Sequence, residues 1–295
     1  MISRFFSVII TTYNARRYIE KTITSVLRQD FKDYEILIVD DCSDDETIDI
    51  VKKKFFDKVK IFSTKKNFGG PAESRNIGIK NSQGKWIAFL DGDDFWFEDK
   101  LSYFNKIIIS KPNYEVYCSN EILINTKTKK EKIIKHGPFT DNFFENLLYD
   151  GNKLSPSASI VNKNFLIKKN IYFDNNEDFI GVEDYDFWLN LSKNNAKFFF
   201  ISKTFSAYVI HNKNITNNSK RHLTNTINVL NKNHKYLKIN DVGKYSARIF
   251  NVKYSFIINQ IVRRNNNILL NFMKFFRYSL KNPILSSKFI LKKLK

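Results

Sequence analysis

Three carboxylates crowd the end of an apolar run: Asp91, Asp93 and Asp94, separated only by Gly92, in the stretch Lys85–Phe97 (KWIAFLDGDDFWF). The run Trp86–Leu90, bounded by turn residues, reads as a parallel strand covered on both faces. The acids therefore stand where that strand stops. Carboxylates this close repel one another, and partial burial raises the cost. Either the turn is fully solvated or a cation balances it. Asp-x-Asp spacing lets one carboxylate reach a metal while the other turns to a neighbouring hydroxyl, with Gly92 leaving the backbone free to bend. Mg²⁺ or Mn²⁺ suits an all-oxygen site that keeps positions open for phosphate.

Two other strand ends carry related groups. Phe6–Thr12 (FSVIITT) closes in Thr11, Thr12, Tyr13 and Asn14, and Glu35–Asp40 (EILIVD) closes in Asp40 and Asp41. Between them, Ile19, Ile23, Val26 and Leu27 share one helical face. Ser43 with Glu46 reads as a capping box that opens a helix through Ile48, Val51 and Phe55. A short strand Val59–Phe62 and the loop Asn67–Pro71 (NFGGP) lead to a helix carrying Arg75 and Asn76. This alternation predicts an α/β fold with a parallel, doubly wound sheet, whose ligands bind at the carboxyl ends of the strands. Three separate loops bring oxygen-rich groups to that edge.

Further on, a helix through Leu101, Phe104, Ile107 and Ile108 leads to a strand Tyr114–Ser119 and a hairpin over Ile122–Ile134. Phe143 to Leu148 form a short helix, Ser157–Val161 a strand, and Lys197–Ile201 and Ser206–Ile210 two more. Glu183 and Asp184 open a helix whose inner face is Phe187, Trp188 and Leu191. Acids in a first helical turn are also favoured by the helix dipole, so this pair alone does not define a site.

Composition narrows the classes. A chain of 295 residues with 42% hydrophobic content builds a sizeable core. Absence of G-x-G-x-x-G after the first strand disfavours a dinucleotide, and absence of a P-loop disfavours that kind of ATP or GTP hydrolysis. No apolar run is long enough for a transmembrane helix or reads as a signal peptide. Cys42 and Cys118 lie in unrelated contexts, which suggests a reducing, cytoplasmic setting. The formal net charge of +19 is concentrated in residues 220–295, where 17 basic side chains face the single acid Asp241. No nucleic-acid-binding module accompanies it.

Five motifs in order carry a resemblance: TTYN at Thr11–Asn14, VDDCSDDET at Val39–Thr47, SRNIGI at Ser74–Ile79, FLDGDD at Phe89–Asp94 and GVEDYDFWLNL at Gly181–Leu191. Over roughly residues 5–215 the chain resembles the inverting glycosyltransferases of family 2, with the GT-A fold. The resemblance implies a mostly parallel Rossmann-like sheet flanked by helices. It also implies a nucleotide-sugar donor, UDP-linked as the commonest choice, and an Mn²⁺ or Mg²⁺ cofactor. Thr11, Tyr13 and Asp41 would line the base and ribose pocket, Arg75 would face the diphosphate, and Asp91 would hold the ribose and sugar side. Asp93 would bind donor and metal, with Asp94 and His211 as further metal ligands. Asp184 matches the family's general base, with Glu183 in reserve. YVIHNKNIT at Tyr208–Thr216 resembles the family's closing loop, except that Val209 stands where an arginine is frequent, so Lys213 becomes a substitute diphosphate contact.

This reading divides the chain into a catalytic domain over 1–218, comprising a donor half 1–94 and an acceptor half 95–218, and a basic helical tail over 219–295. The tail shows helical spacing at Ile227, Leu230 and Tyr236, at Ile249, Phe250, Phe256, Ile257 and Ile261, and over Leu269–Leu280 and Ile284–Leu294. Basic amphipathic helices with aromatic anchors suit an anionic membrane surface, though plain helix packing would leave the same pattern. The expected protein transfers a hexosyl or N-acetylhexosaminyl group to a glycan or lipid-linked oligosaccharide in bacterial surface-glycan assembly, peripherally at the inner face of the cytoplasmic membrane. The alternatives are a sugar-phosphate nucleotidyltransferase or phosphotransferase, which shares the sheet edge, and a non-catalytic scaffold that recruits partners through the basic tail.

Overall fold

The computed structural model describes residues 4–139, 142–212, 214–215, 219–236, 242–262, 277 and 280. Lys213 and most of the two helices expected beyond residue 268 lie outside the described residues. The order is β1 (Phe6–Thr12), α1 (Ile19–Leu27), β2 (Tyr34–Asp40), α2 (Thr47–Phe55), β3 (Lys60–Ser63), α3 (Ala72–Asn81), β4 (Trp86–Asp91), β5 (Phe95–Trp96) and α4 (Lys100–Ser110). There follow β6 (Val116–Asn125), β7 (Glu131–Ile134), α5 (Phe143–Asp150), β8 (Ser159–Asn162), α6 (Lys163–Lys169), α7 (Glu183–Lys193), β9 (Phe198–Ile210), α8 (Ser219–His234) and α9 (Val242–Val262).

One sheet runs β3-β2-β1-β4-β8-β6-β9-β5, with β7 on β6. The donor half is parallel throughout, as β1 pairs with β2 and β4, and β2 with β3. The sheet is mostly parallel, as expected, since β6 also runs parallel to β9, and the antiparallel pairings are short: β8 with β4 and β6, β5 with β9, and β7 with β6. The two short strands expected between 197 and 210 are one strand, β9, which bridges 13 residues beside β6 across a register irregularity.

Every residue of β1 is buried, because helices cover both faces. Phe6, Val8 and Ile10 join Ile19, Ile23, Val26, Val51, Phe55, Leu101 and Phe104 on one face. Ile9 turns to the other, with Phe89, Phe187 and Trp188. There α3 lies so close to β1 that a Cβ on Gly78 would stand 2.4 Å from Ile9 Cγ2. The capping box at Ser43 does not form. Ser43 instead donates to Asp40 Oδ1 at 2.5 Å and accepts from Asn14 N, tying the ends of β1 and β2 together.

The boundary expected at 218 falls inside one packed unit. Val229 and Leu230 of α8 belong to the core cluster of α7, and Phe250 and Tyr254 of α9 are buried. Lys232 pairs with Asp186 at 2.7 Å, and Asn225 donates to the Ile180 carbonyl at 2.9 Å. Much of the basic segment is therefore structural. Among the described residues, no helix is long and apolar enough to cross a membrane.

Candidate active site

A cavity of about 750 Å³ opens at the carboxyl ends of β1, β2 and β4 and extends to the start of α7 and to α8 and α9. Thr11, Tyr13, Asp41, Arg75, Asp91, Asp93, Glu183, Asp184 and His211 all line it; Asp94 does not. The sheet topology brings them together, since each follows the last inward residue of its strand or begins a covering helix.

On the nucleotide side, Tyr13 is half exposed and offers its ring to the cavity. Asp41 is buried and committed to its own loop: it accepts from Thr64 Oγ1 at 3.0 Å and from Phe68 N at 3.0 Å. Burial pushes its carboxyl up despite those bonds. Asp41 thus shapes the wall that the loop 64–70 makes, while Thr11 donates to Asp91 Oδ1 at 3.2 Å.

The two aspartates after Gly92 part company. Asp93 Oδ2 meets His211 Nε2 at 2.8 Å, and the His211 ring stacks on Tyr18 with centroids 4.7 Å apart. Asp94 turns inward, where Ser157 Oγ donates at 2.6 Å and Val209 N at 2.9 Å. Burial, then Asp93 and Asp91, push its carboxyl well above the usual range. As a metal ligand Asp94 is therefore corrected: its oxygens brace β9 and the segment before β8. At the arginine position, Val209 donates this backbone bond and accepts one from Asn214 Nδ2 at 3.2 Å, and its side chain is buried.

No cluster of three or more His, Cys, Asp or Glu side chains capable of holding an ion occurs among the described residues. The pair Asp93 and His211 nonetheless fits a hard divalent cation of the kind that takes one or two protein ligands and completes its shell with phosphate and water.

Arg75 is also corrected. Instead of reaching towards a diphosphate, its guanidinium is 2% exposed and spent on two acids: Nη2 donates to Asp91 Oδ1 at 2.8 Å and Nη1 to Glu183 Oε1 at 2.9 Å. Glu183 uses its other oxygen on Gly181 N at 2.8 Å. Held on both oxygens and buried, Glu183 is a brace and not a reserve base. Asp184, half-buried at the cavity wall, accepts from Asn152 Nδ2 at 2.8 Å and from Tyr185 N at 2.7 Å. Burial and the adjacent Glu183 push its carboxyl up to about 7, with Arg75 pulling the other way.

Sequence reasoning missed Asn152, Tyr18 and Ser157. Nothing in the run Asp150–Ser155 marks Asn152 apart, because its partner lies 32 positions on. Tyr18 sits just before α1 and reads as an ordinary amphipathic position.

A single mixed sheet with acids gathered at its strand ends, a carboxylate–imidazole pair on one side and the half-buried Asp184 on the other, has the architecture of the GT-A fold. Residues 7–173 match glycosyl transferase family 2, and the chain belongs to that family. It is 32% identical over 231 residues to the UDP-Glc:alpha-D-GlcNAc-diphosphoundecaprenol beta-1,3-glucosyltransferase WfaP of Escherichia coli, covering 76% of this chain and 84% of that protein. An uncharacterized glycosyltransferase of Rickettsia felis is 33% identical over 190 residues, covering 64% of this chain but only 30% of that protein. Among solved structures, Staphylococcus aureus TarS 1–349 shares the fold with a TM-score of 0.63 at 22% identity, over 92% of this chain and 78% of TarS 1–349. A Pyrobaculum calidifontis mannosyltransferase in complex with GDP-Man and Mn²⁺ does so with 0.61 at 13% identity, over 99% and 85%.

Proposed function

We propose that the protein transfers a sugar, with inversion, from a nucleotide-diphosphate sugar to a hydroxyl of a glycan or glycolipid in surface-glycan assembly. The observation that carries this is the placement of Asp93 with His211 and of Asp184 in one cavity, the acids around them steadied by Arg75. The Tyr13 ring offers a face for the base, and Asp91, fixed by Arg75 and Thr11, offers its remaining acceptor capacity to sugar or ribose hydroxyls. Asp184 takes the proton of the acceptor hydroxyl as its oxygen bonds to the anomeric carbon. The bond from that carbon to the phosphate breaks on the opposite face, releasing the nucleoside diphosphate. Asn152 fixes the carboxylate plane of Asp184. A divalent ion held by Asp93 and His211 would neutralise charge on the leaving diphosphate. Mn²⁺ in the mannosyltransferase complex supports that assignment.

UDP is the favoured nucleotide on the strength of the WfaP name. Contact with the inner leaflet of the cytoplasmic membrane belongs to the same reading. Its support is the sequence of residues 263–295, which holds nine basic and no acidic side chains. The test is a panel of nucleotide sugars with Mn²⁺ or Mg²⁺, read as released nucleoside diphosphate. Slow hydrolysis of one donor, lost on chelation and in Asp93→Ala, is expected. Release of pyrophosphate or a nucleoside monophosphate, or binding of no nucleotide sugar, would overturn the reading.

A further inference from the structure

Two buried polar side chains line the cavity without a role in the transfer step: Glu121, 2% exposed, and His136, 6% exposed. Glu121 lies in β6 just past its register irregularity with β9. Because β7 pairs antiparallel to β6 with Ile134 opposite Glu121, the chain leaving β7 brings His136 back to it. His136 is held at three points. Its backbone N donates to Asn120 Oδ1 at 2.9 Å, its Nδ1 to the Lys153 carbonyl at 2.7 Å, and its Nε2 meets Glu121 Oε1 at 3.1 Å. A carbonyl only accepts, so Nδ1 is the donor in that bond. Glu121 Oε1 is thereby fixed, whereas Oε2 is buried and has no hydrogen-bond partner among the described residues. The only ion pair of Glu121 among them is with His136. A carboxylate oxygen withdrawn from water without a donor is costly, so Oε2 calls for a donor from outside the chain. The bonds also give the direction. Glu121 shares none with Asp91 or Asp93, but through His136 it is joined to Lys153, the residue after Asn152, whose Nδ2 holds Asp184.

We propose that Glu121 determines acceptor specificity: Oε2 accepts a hydrogen bond from a hydroxyl of the acceptor sugar other than the one presented to Asp184, and His136 is the positioning residue that seats it. This rests on the transferase reading above. A sugar ring carries several O–H donors at fixed separations, and a bond to an ionised acceptor is stronger than one to a neutral group. Binding one hydroxyl at Glu121 therefore selects which other hydroxyl reaches Asp184, so the two carboxylates together set the linkage position. A ring that lacks the Glu121 hydroxyl leaves the buried oxygen unpaired again and is rejected.

The test uses the full chain saturated with UDP and Mn²⁺. Calorimetry measures binding of the decyl α-glycosides of glucose, galactose, mannose and N-acetylglucosamine, and then of the monodeoxy forms of whichever binds best. One deoxy form is expected to bind the wild type about tenfold more weakly than its parent. Glu121→Gln, which keeps the shape of the side chain, should weaken the parent about tenfold and bind parent and deoxy form nearly alike. His136→Ala should shrink the difference in part. UDP affinity, measured separately, checks that each variant is folded. A deoxy penalty that persists in Glu121→Gln, or binding of no glycoside by the wild type, would overturn the subsite. Weaker binding of the nucleotide sugar in Glu121→Gln with the glycosides unaffected would overturn it too, by turning the carboxylate towards the donor. If the wild type bound no UDP, the transferase reading would fall instead, while a deoxy penalty abolished in Glu121→Gln would still establish the sugar site.

Discussion

Arg75 and Glu183 lie 108 positions apart in the chain and meet at 2.9 Å, both side chains almost wholly buried. One guanidinium thereby joins the end of β4, through Asp91, to the start of α7. Removing one member of a buried ion pair costs about 3–5 kcal/mol, because the partner is left charged and dry. Arg75→Met is therefore expected to lower unfolding stability by that order in denaturant titrations. Arg75→Met with Glu183→Leu should recover part of the loss.

Asp184 must be ionised to accept a proton, and its carboxyl is pushed up to about 7. The turnover rate should therefore rise with pH, with a midpoint near that value, and level off above it. Asp184→Asn should reduce kcat by roughly 10²- to 10⁴-fold and flatten the profile while donor binding persists. Asn152→Ala should shift the midpoint upward, since it removes a hydrogen bond that favours the charged form. Steady-state kinetics across pH 5–9 would decide; an unshifted midpoint in Asn152→Ala would show that the amide has no hold on the carboxylate.

Asp93 and His211 should behave as a unit towards divalent ions. Asp93→Ala and His211→Ala are each expected to weaken Mn²⁺ binding in the presence of UDP, read by the electron paramagnetic resonance of free Mn²⁺. Tyr18→Ala, which removes only the ring stacked on His211, should weaken it less. Equal affinity in all four proteins would place the ion elsewhere.

Lys100 is fully buried, donates to the Ser157 carbonyl at 2.6 Å and lies over the Trp96 ring. Burial lowers it from 10.5 to about 7. Between those values the unfolded chain holds a proton that the folded chain has released, so this residue makes stability rise with pH across that window. The sum over the window is on the order of several kcal/mol, at about 1.4 kcal/mol per pH unit. Lys100→Met should remove that slope in pH-dependent unfolding, an outcome that an ordinary solvated lysine would not give.

The donor half was legible because its physics is local: apolar runs covered on both faces end in acids, and helical faces repeat between them. Which aspartate points where was not. After Gly92 the strand alternation no longer operates, and Asp94 is drawn inward by Ser157 and Val209, 63 and 115 positions away. Arg75 likewise reads as a diphosphate contact until α7 arrives with Glu183. The extent of the catalytic unit was obscured by charge: α8 and α9 look like a basic appendage, yet Val229, Leu230, Phe250 and Tyr254 are as buried as strand residues.

The inward bond from Val209 to Asp94 has a temporal consequence. Synthesis runs from the amino terminus, and the turn that presents Asp93 is complete only when a residue 115 positions later has emerged and paired. A nascent chain that has made β1 to β4 is thus expected to hold the acids of the donor site without their final arrangement. The unfinished protein would be protected in this way from consuming donor before an acceptor can be bound. UDP binding by a fragment ending at Asn162 would show the contrary.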